Sequence, residues 1–278
     1  MALKNFDGAV VVITGGASGI GLASAKACYE RGAHIVLADR DSQRLPWAAQ
    51  QVQQSNPAKS ASVLTFTVDV TDEAQVNTLM QQALGINGTI DLVITCAGLG
   101  GGGTIDAFTA SEMRAVLDVN FMGTFLCMKA ALPIMRQQHS GHFAFLSSVA
   151  GKIGSPLLSG YCASKWAVRG FSAAVRAELY GTGIDITTVY PAWVDTPMLH
   201  QGGEAADLLN IEALLTPEQV AQGIVQAVEQ GQHDLTLAPN QDIALLLEIM
   251  KTDPDKAERL TGESFQRRLQ AKIAQAGD

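Results

Sequence analysis

Several hallmarks of common protein classes are missing from this chain of 278 residues. Only four cysteines occur, Cys28, Cys96, Cys127 and Cys162, and no two form a CxxC pair. That excludes a disulfide framework or zinc ribbon and predicts buried, reduced thiols. The five histidines form no HExxH or other ligand spacing, so no metal is expected. There is no block of Lys or Arg, and the 19 basic residues are outnumbered by 27 acidic ones. A net charge of −8 argues against binding a nucleic-acid backbone or an anionic membrane. No uninterrupted apolar run approaches the ~18 residues of a membrane span. The start, MALKNFDG, lacks the basic and apolar regions of a secretory signal. The expectation is a cytoplasmic protein with no nucleic-acid or membrane partner.

What is present is a folded chain, 47% apolar and only 17% charged, in which short β-rich runs alternate with helical ones. Residues 9–13 (AVVVI) are apolar on both faces, as a central parallel strand requires. Further strands are predicted at 34–38, 62–68, 90–95, 142–147, 184–190 and 234–238. Helices are predicted at 19–31, 42–54, 72–84, 109–137, 160–180 and 217–230. Strict β–α alternation implies parallel strands joined by right-handed crossovers. The fold class is therefore α/β, a Rossmann-like doubly wound parallel sheet of about seven strands with helices on both faces. Residues 1–240 are read as one catalytic domain. Residues 241–278 are read as a helical C-terminal extension of it, apolar over 241–251 and charged over 254–274.

Between the first strand and first helix stands Thr14-Gly15-Gly16-Ala17-Ser18-Gly19-Ile20-Gly21. Glycine permits a tight turn and close approach of a pyrophosphate, and the helix N-terminus favours the anion. Gly98-Leu99-Gly100-Gly101-Gly102-Gly103 also satisfies GxGxxG, but no apolar helix opens behind it. It is read as a loop at the rim of the site. Asp39 closes the second strand, where a carboxylate can accept hydrogen bonds from the adenosine ribose hydroxyls. Arg40 follows, placed to pair with a 2′-phosphate, stack near adenine or face solvent.

Tyr161 and Lys165 are four apart at the start of a predicted helix, on one face. A neighbouring ammonium favours a phenolate, which a free tyrosine with pKa near ~10 does not readily form. Ser147 and Ser148 end the fifth strand, at the sheet edge where such ligand sites lie.

With these residues in order, the chain resembles the short-chain dehydrogenase/reductase family over nearly all of its first 240 residues. The matching features are the Thr14–Gly21 turn, Asp69 in Val-Asp-Val, Ala97-Gly98, Asn120 in Val-Asn-Phe-Met-Gly, Ser148, Tyr161-Cys-Ala-Ser-Lys165, and Pro191 through Thr196. The resemblance implies that Tyr161 is the general acid/base and that Lys165 lowers its pKa and holds the nicotinamide ribose. Ser148 would polarise the substrate oxygen, and Asn120 would support a water linking Lys165 to solvent. The implied cofactor contacts are Gly15, Ser18, Gly19, Ile20, Gly21, Asp39, Arg40, Asp69, Val70, Ala97, Gly98, Tyr161, Lys165, Pro191, Val194 and Thr196. Asp69 would meet adenine, Val194 the carboxamide, and Thr196 the nicotinamide or pyrophosphate. Two positions depart from the family pattern. Thr95-Cys96 replaces Asn-Asn, leaving Thr95 to help tie the fourth strand to its neighbours, and Ala192 replaces a glycine.

The segment 198–215, with Gly202-Gly203 and Met198, Leu199, Leu208, Leu209 and Ile211, is read as a mobile substrate lid closing an apolar pocket, the alternative being an amphipathic helix packed on the core. Leu157, Leu158 and Trp193 are expected to add apolar surface. No basic residue is placed to hold a carboxylate or phosphate, so the expected substrate is a neutral, fairly apolar secondary alcohol or ketone. Asp39 favours NAD over NADP, because a carboxylate repels a 2′-phosphate. Two alternatives remain: an NADPH-dependent ketoreductase of the 3-oxoacyl type, and a non-catalytic dinucleotide-binding protein. A homodimer or homotetramer is implied by resemblance, through the helices at 109–137 and 160–180.

Overall fold

The computed structural model describes residues 3–200, 208–209 and 214–276. Seven strands form one sheet: β1 (Val10–Thr14), β2 (His34–Asp39), β3 (Val63–Thr67), β4 (Leu92–Thr95), β5 (Gly141–Leu146), β6 (Ile184–Pro191) and β7 (Asp234–Leu237). The order is β3-β2-β1-β4-β5-β6-β7 and every pairing is parallel. The chain winds outward from β1 to β3, then returns to start β4 on the other side of β1. The C-terminal ends of β1 and β4 thus flank the point where winding reverses, which is where an open α/β sheet offers a crevice.

The helices before β7 are α1 (Gly19–Tyr29), α2 (Leu45–Ser55), α3 (Glu73–Leu84), α4 (Ala110–Leu117), α5 (Gly123–Gln138), α6 (Ser159–Glu178), the short α7 (Pro197–His200) and α8 (Pro217–Gln230). They divide between the two faces because β1 is apolar on both. Val11 and Ile13 pack with α1, α2 and α8, while Val10 and Val12 pack with α3, α5 and α6. All five β1 residues are buried, so the strand that carries the glycine turn is held from both sides.

The single helix expected over 109–137 is two helices joined by a π-helical turn at Asp118–Met122. Such an extra residue per turn redirects side chains and is common at functional sites. The whole run Ala110–Gln138 is long and apolar enough to cross a membrane by length and composition, the one such helix among the described residues. Its Leu126, Cys127, Ala131 and Met135 are buried in the core.

Beyond β7 come α9 (Gln241–Thr252) and α10 (Pro254–Ala276), where the sequence pattern placed an apolar and a charged helix. They pack chiefly against each other. Among their described side chains only Ala257 is fully buried.

Candidate active site

The turn after β1 is shaped by its glycines. Gly15 has φ +66°, and a Cβ there would lie 2.6 Å from the Ala97 nitrogen at the end of β4. A Cβ on Gly21 would overlap the Gly15 carbonyl. Ser18 caps α1 with extended backbone and no side-chain hydrogen bond to the first turn. The opening amides of the helix are therefore available to an anion, and the cradle admits a pyrophosphate that side chains would exclude. The residues fit a nicotinamide dinucleotide.

Asp39 does two things. One carboxylate oxygen accepts the Ala17 N–H at 3.0 Å and the other accepts the Asp41 N–H at 3.0 Å. It thereby ties the glycine turn to the end of β2. A carboxylate has about four lone-pair sites, so acceptor capacity remains for ribose hydroxyls. Arg40 and Arg44 line the cavity beside it. Asp69 accepts from the Thr71 amide at 2.9 Å and from its hydroxyl at 2.7 Å, which fixes the loop after β3.

The tie between strands in which Thr95 was expected to help is made by Thr14. The Thr14 hydroxyl accepts the Ala97 N–H at 3.4 Å, linking β1 to the end of β4. Thr95 instead meets the Thr124 hydroxyl of α5 at 3.4 Å, because its side chain faces that helix and not a neighbouring strand.

At the C-terminal edge of β5, Ser148 accepts the Ala150 N–H and donates to the Pro191 carbonyl, both at 3.2 Å. Tyr161 stands on the first turn of α6. Burial pushes its phenol up to about 12, opposed by a hydrogen-bonding contact with Ser148. Lys165 is 5% exposed, and burial pushes its ammonium down to about 8. Its Nζ donates to the Leu146 carbonyl at 2.7 Å and lies 5.4 Å from the centre of the Tyr161 ring. Desolvation is the largest cause of the rise at Tyr161, and the Lys165 ammonium gives its hydrogen bond to the Leu146 carbonyl.

Asn120 is the expected site residue that lies behind the cavity wall. It is 1% exposed and does not line the cavity. Its Oδ1 accepts the Leu99 N–H at 2.7 Å, while Nδ2 donates to the Leu99 carbonyl at 3.0 Å and to Ser164 Oγ at 2.9 Å. Ser164 Oγ donates in turn to the Tyr161 carbonyl at 2.7 Å. The amide thus joins the glycine-rich loop to α6. Its backbone carbonyl accepts from Thr124 Oγ1 at 2.9 Å.

Every other expected site residue lines one cavity of about 1400 Å³. Single-ligand pockets run to roughly 300–1,000 Å³, so this one has room for a dinucleotide and a substrate together. Leu158, Trp193, Met198, Leu199 and Leu209 line it too, as does the Gly98–Gly102 loop. Leu157 does not. Its backbone is left-handed (φ 63°) and its carbonyl accepts the Gly103 N–H at 2.8 Å, so it serves the turn. Of the expected lid, residues 201–207 and 210–213, Ile211 included, lie outside the described residues.

Two sets of lining residues escaped the sequence reading. One is Leu245, Leu246, Ile249 and Leu260 of the C-terminal helices. The other is Arg267 and Arg268 of α10, which bring positive charge to a cavity expected to have none on its substrate side. The signal for the first was an apolar stripe at helical spacing over 242–249, with no strand after it to cover.

Fold and site together define an oxidoreductase built around a dinucleotide crevice, and comparison with known proteins agrees. A family model described as short chain dehydrogenase matches residues 9–207. The chain belongs to the short-chain dehydrogenase/reductase family, whose members bind a nicotinamide dinucleotide. It is 34% identical to dehydrogenase/reductase SDR family member 7B of Xenopus laevis, over 95% of this chain and 88% of that one. It is 33% identical to 3-ketodihydrosphingosine reductase of Mus musculus, over 81% and 69%. Among solved structures, levodione reductase superposes with TM-score 0.80 at 30% identity, covering 86% of this chain and all of that one. A short-chain dehydrogenase/reductase from Burkholderia phymatum in complex with NAD gives TM-score 0.80 at 27% identity, covering 90% and 95%.

Proposed function

We propose that this enzyme moves a hydride between NAD(H) and a neutral, fairly apolar secondary alcohol or ketone. The observation that carries the reading is the convergence of Ser148, Tyr161 and Lys165 on the cavity into which the Gly15–Gly21 turn opens. The bound nicotinamide supplies the hydride acceptor or donor. The protein handles the proton. In alcohol oxidation Tyr161 Oη takes the hydroxyl proton as the carbonyl forms, and in reduction it returns that proton to the substrate oxygen. Ser148 orients this oxygen. Its single hydroxyl proton is directed at the Pro191 carbonyl, so it must rotate to donate to a ketone, whereas an alcohol can donate to it directly. Lys165 keeps a positive charge near the phenol and holds the ribose.

The choice of NAD rests on Asp39. A 2′-phosphate beside this carboxylate would bring like charges together and remove a hydroxyl donor. A second reading, an NADPH-dependent ketone reductase, is favoured by Arg40 and Arg44 at the same end of the cavity. The likeness to 3-ketodihydrosphingosine reductase and to levodione reductase lends weight to the reducing direction. We further propose a cytoplasmic homodimer or homotetramer, with Cys28, Cys127 and Cys162 kept as buried thiols. A panel of secondary alcohols and ketones, followed by absorbance of the reduced cofactor with NAD(H) and NADP(H) in parallel, tests the assignment. Turnover with neither cofactor on any member would overturn it.

A further inference from the structure

We propose that α9 and α10 form the far wall of the substrate site, and that Leu246 and Ile249 hold an extended, uncharged apolar tail of the substrate. This rests on the oxidoreductase reading above and names the substrate class it takes.

The placement begins with topology. Helix α9 starts just after β7, whose Leu237 carbonyl accepts the Ala192 N–H beyond the end of β6. The helix therefore leaves the sheet at the edge that carries Ser148 and Val194. Asp242, Leu245, Leu246 and Ile249 recur at three- and four-residue spacing, so they share one face, and that face lines the catalytic cavity. From α10, Leu260 lines the same cavity.

This apolar face is not consumed by the fold. Helix α8 buries Val220, Ala221, Ile224, Val225, Ala227 and Val228, as an amphipathic helix on a sheet does. Helix α9 fully buries nothing, and Leu245 and Leu260 remain 61% and 36% exposed. Apolar surface left open inside a cavity that already exceeds a single-ligand pocket matches an apolar ligand portion. The hairpin is also tied to the substrate loop. Arg268 donates from Nε to the Leu208 carbonyl and from Nη1 to Ser264 Oγ, both at 2.8 Å. The wall lies beyond residue 207, where the family match ends. Asp242, Arg267 and Arg268 also line the cavity, Arg268 being held by the Leu208 carbonyl and Ser264 Oγ, so the assignment of an uncharged tail rests on the four apolar side chains of the wall.

The test is a homologous series of unbranched 2-ketones, from 2-butanone to 2-dodecanone, with wild type, Leu246→Asp and Ile249→Asp. Both positions lie on a hairpin that buries little, so folding is checked simply by circular dichroism and melting temperature. In the wild type kcat/KM should rise about two- to fourfold per methylene, the upper figure being full burial at ~0.8 kcal/mol. The aspartate variants should flatten this rise, read within each protein as the ratio of kcat/KM for 2-dodecanone to that for 2-butanone. A flat wild-type series with measurable 2-butanone turnover, or equal slopes in all three proteins, would overturn the proposal and leave the oxidoreductase reading intact. If no ketone turns over, that reading fails, and the tail site is judged by binding of 2-butanone and 2-decanone to the NAD-loaded protein. Length-dependent binding lost in Ile249→Asp supports the site, and length-independent binding overturns it. Co-sedimentation with phosphatidylcholine vesicles that Ile249→Asp abolishes, together with a flat series, would assign the face to a bilayer instead.

Discussion

The Lys165 ammonium donates its hydrogen bond to the Leu146 carbonyl, 2.7 Å away, and not to the Tyr161 phenol. Lysine four residues after tyrosine thus places a positive charge beside the phenol without hydrogen-bonding to it. Burial holds the phenol near 12 and the ammonium near 8, so each group is pushed toward its neutral form. Alcohol oxidation needs the phenolate. At saturating NAD, the pH profile of kcat/KM for an alcohol should therefore rise with pH. In Lys165→Met the inflection should move upward. An unchanged inflection in the variant would remove Lys165 from control of the proton.

Tyr161→Phe keeps the ring and deletes the hydroxyl. Turnover should fall by about 10²–10⁴-fold, the usual worth of acid–base catalysis. Binding of NAD, followed by calorimetry, should change little. Near-full activity on an authentic substrate would show that another group moves the proton.

Asp39→Ala should act twice. The ratio of kcat/KM for NADP to that for NAD should rise at least tenfold, since a like-charge contact at ~4 Å is worth up to ~4 kcal/mol at an effective dielectric near 20. Efficiency with NAD should also fall outright, because the Ala17 and Asp41 amides lose their acceptor. Steady-state kinetics with both cofactors on one substrate reads the two effects separately. No relative gain for NADP would leave Asp39 as a holder of the turn alone.

Asn120→Ala removes three buried hydrogen bonds at once. Unpaired buried groups cost roughly 1–3 kcal/mol each, and partial relaxation makes a total loss of about 2–4 kcal/mol the expectation. Denaturant unfolding measures it. Turnover should fall too, since the Leu99 loop and the Tyr161 turn are no longer joined. Unchanged stability would show that the network is dispensable.

His142 supplies a pH test of the fold. The hydroxyl proton of Thr187 goes to the Gln232 carbonyl at 2.7 Å, so the His142 Nε2 contact with Thr187 at 2.8 Å must be a donation by the histidine. Nδ1 is then the unprotonated nitrogen, and it has no partner. Acid would place an unpaired cation in the core, which is why burial lowers the pKa from 6.5 to about 4. Between those values the unfolded chain binds the extra proton. Stability is therefore lost as pH falls through this window, by about 3 kcal/mol. In His142→Leu the total fall in unfolding free energy from pH 6.5 to pH 4 should be smaller by that amount, whatever the variant's stability at neutral pH. An identical fall would show that the group titrates freely.

Much of this protein is determined by its sequence alone. The alternation of apolar strands with amphipathic helices dictates the parallel sheet, because buried strands and one-sided helices admit few other arrangements. The glycine turn, Ser148, Tyr161 and Lys165 are legible for a related reason: each is tied to a strand end or a helix start, and parallel topology gathers those ends at one edge. Other features were settled only by tertiary structure. Asn120 lies on a π-helical turn that no propensity marks, and its partners Leu99 and Ser164 are distant in sequence. The proton balance at Tyr161 depends on how deeply it is buried and on where Lys165 turns, and both are set by packing. Helices α9 and α10 reveal their apolar periodicity in the sequence but not what they face. That direction follows from where β7 ends and how the hairpin folds back, a non-local outcome that local pattern does not encode.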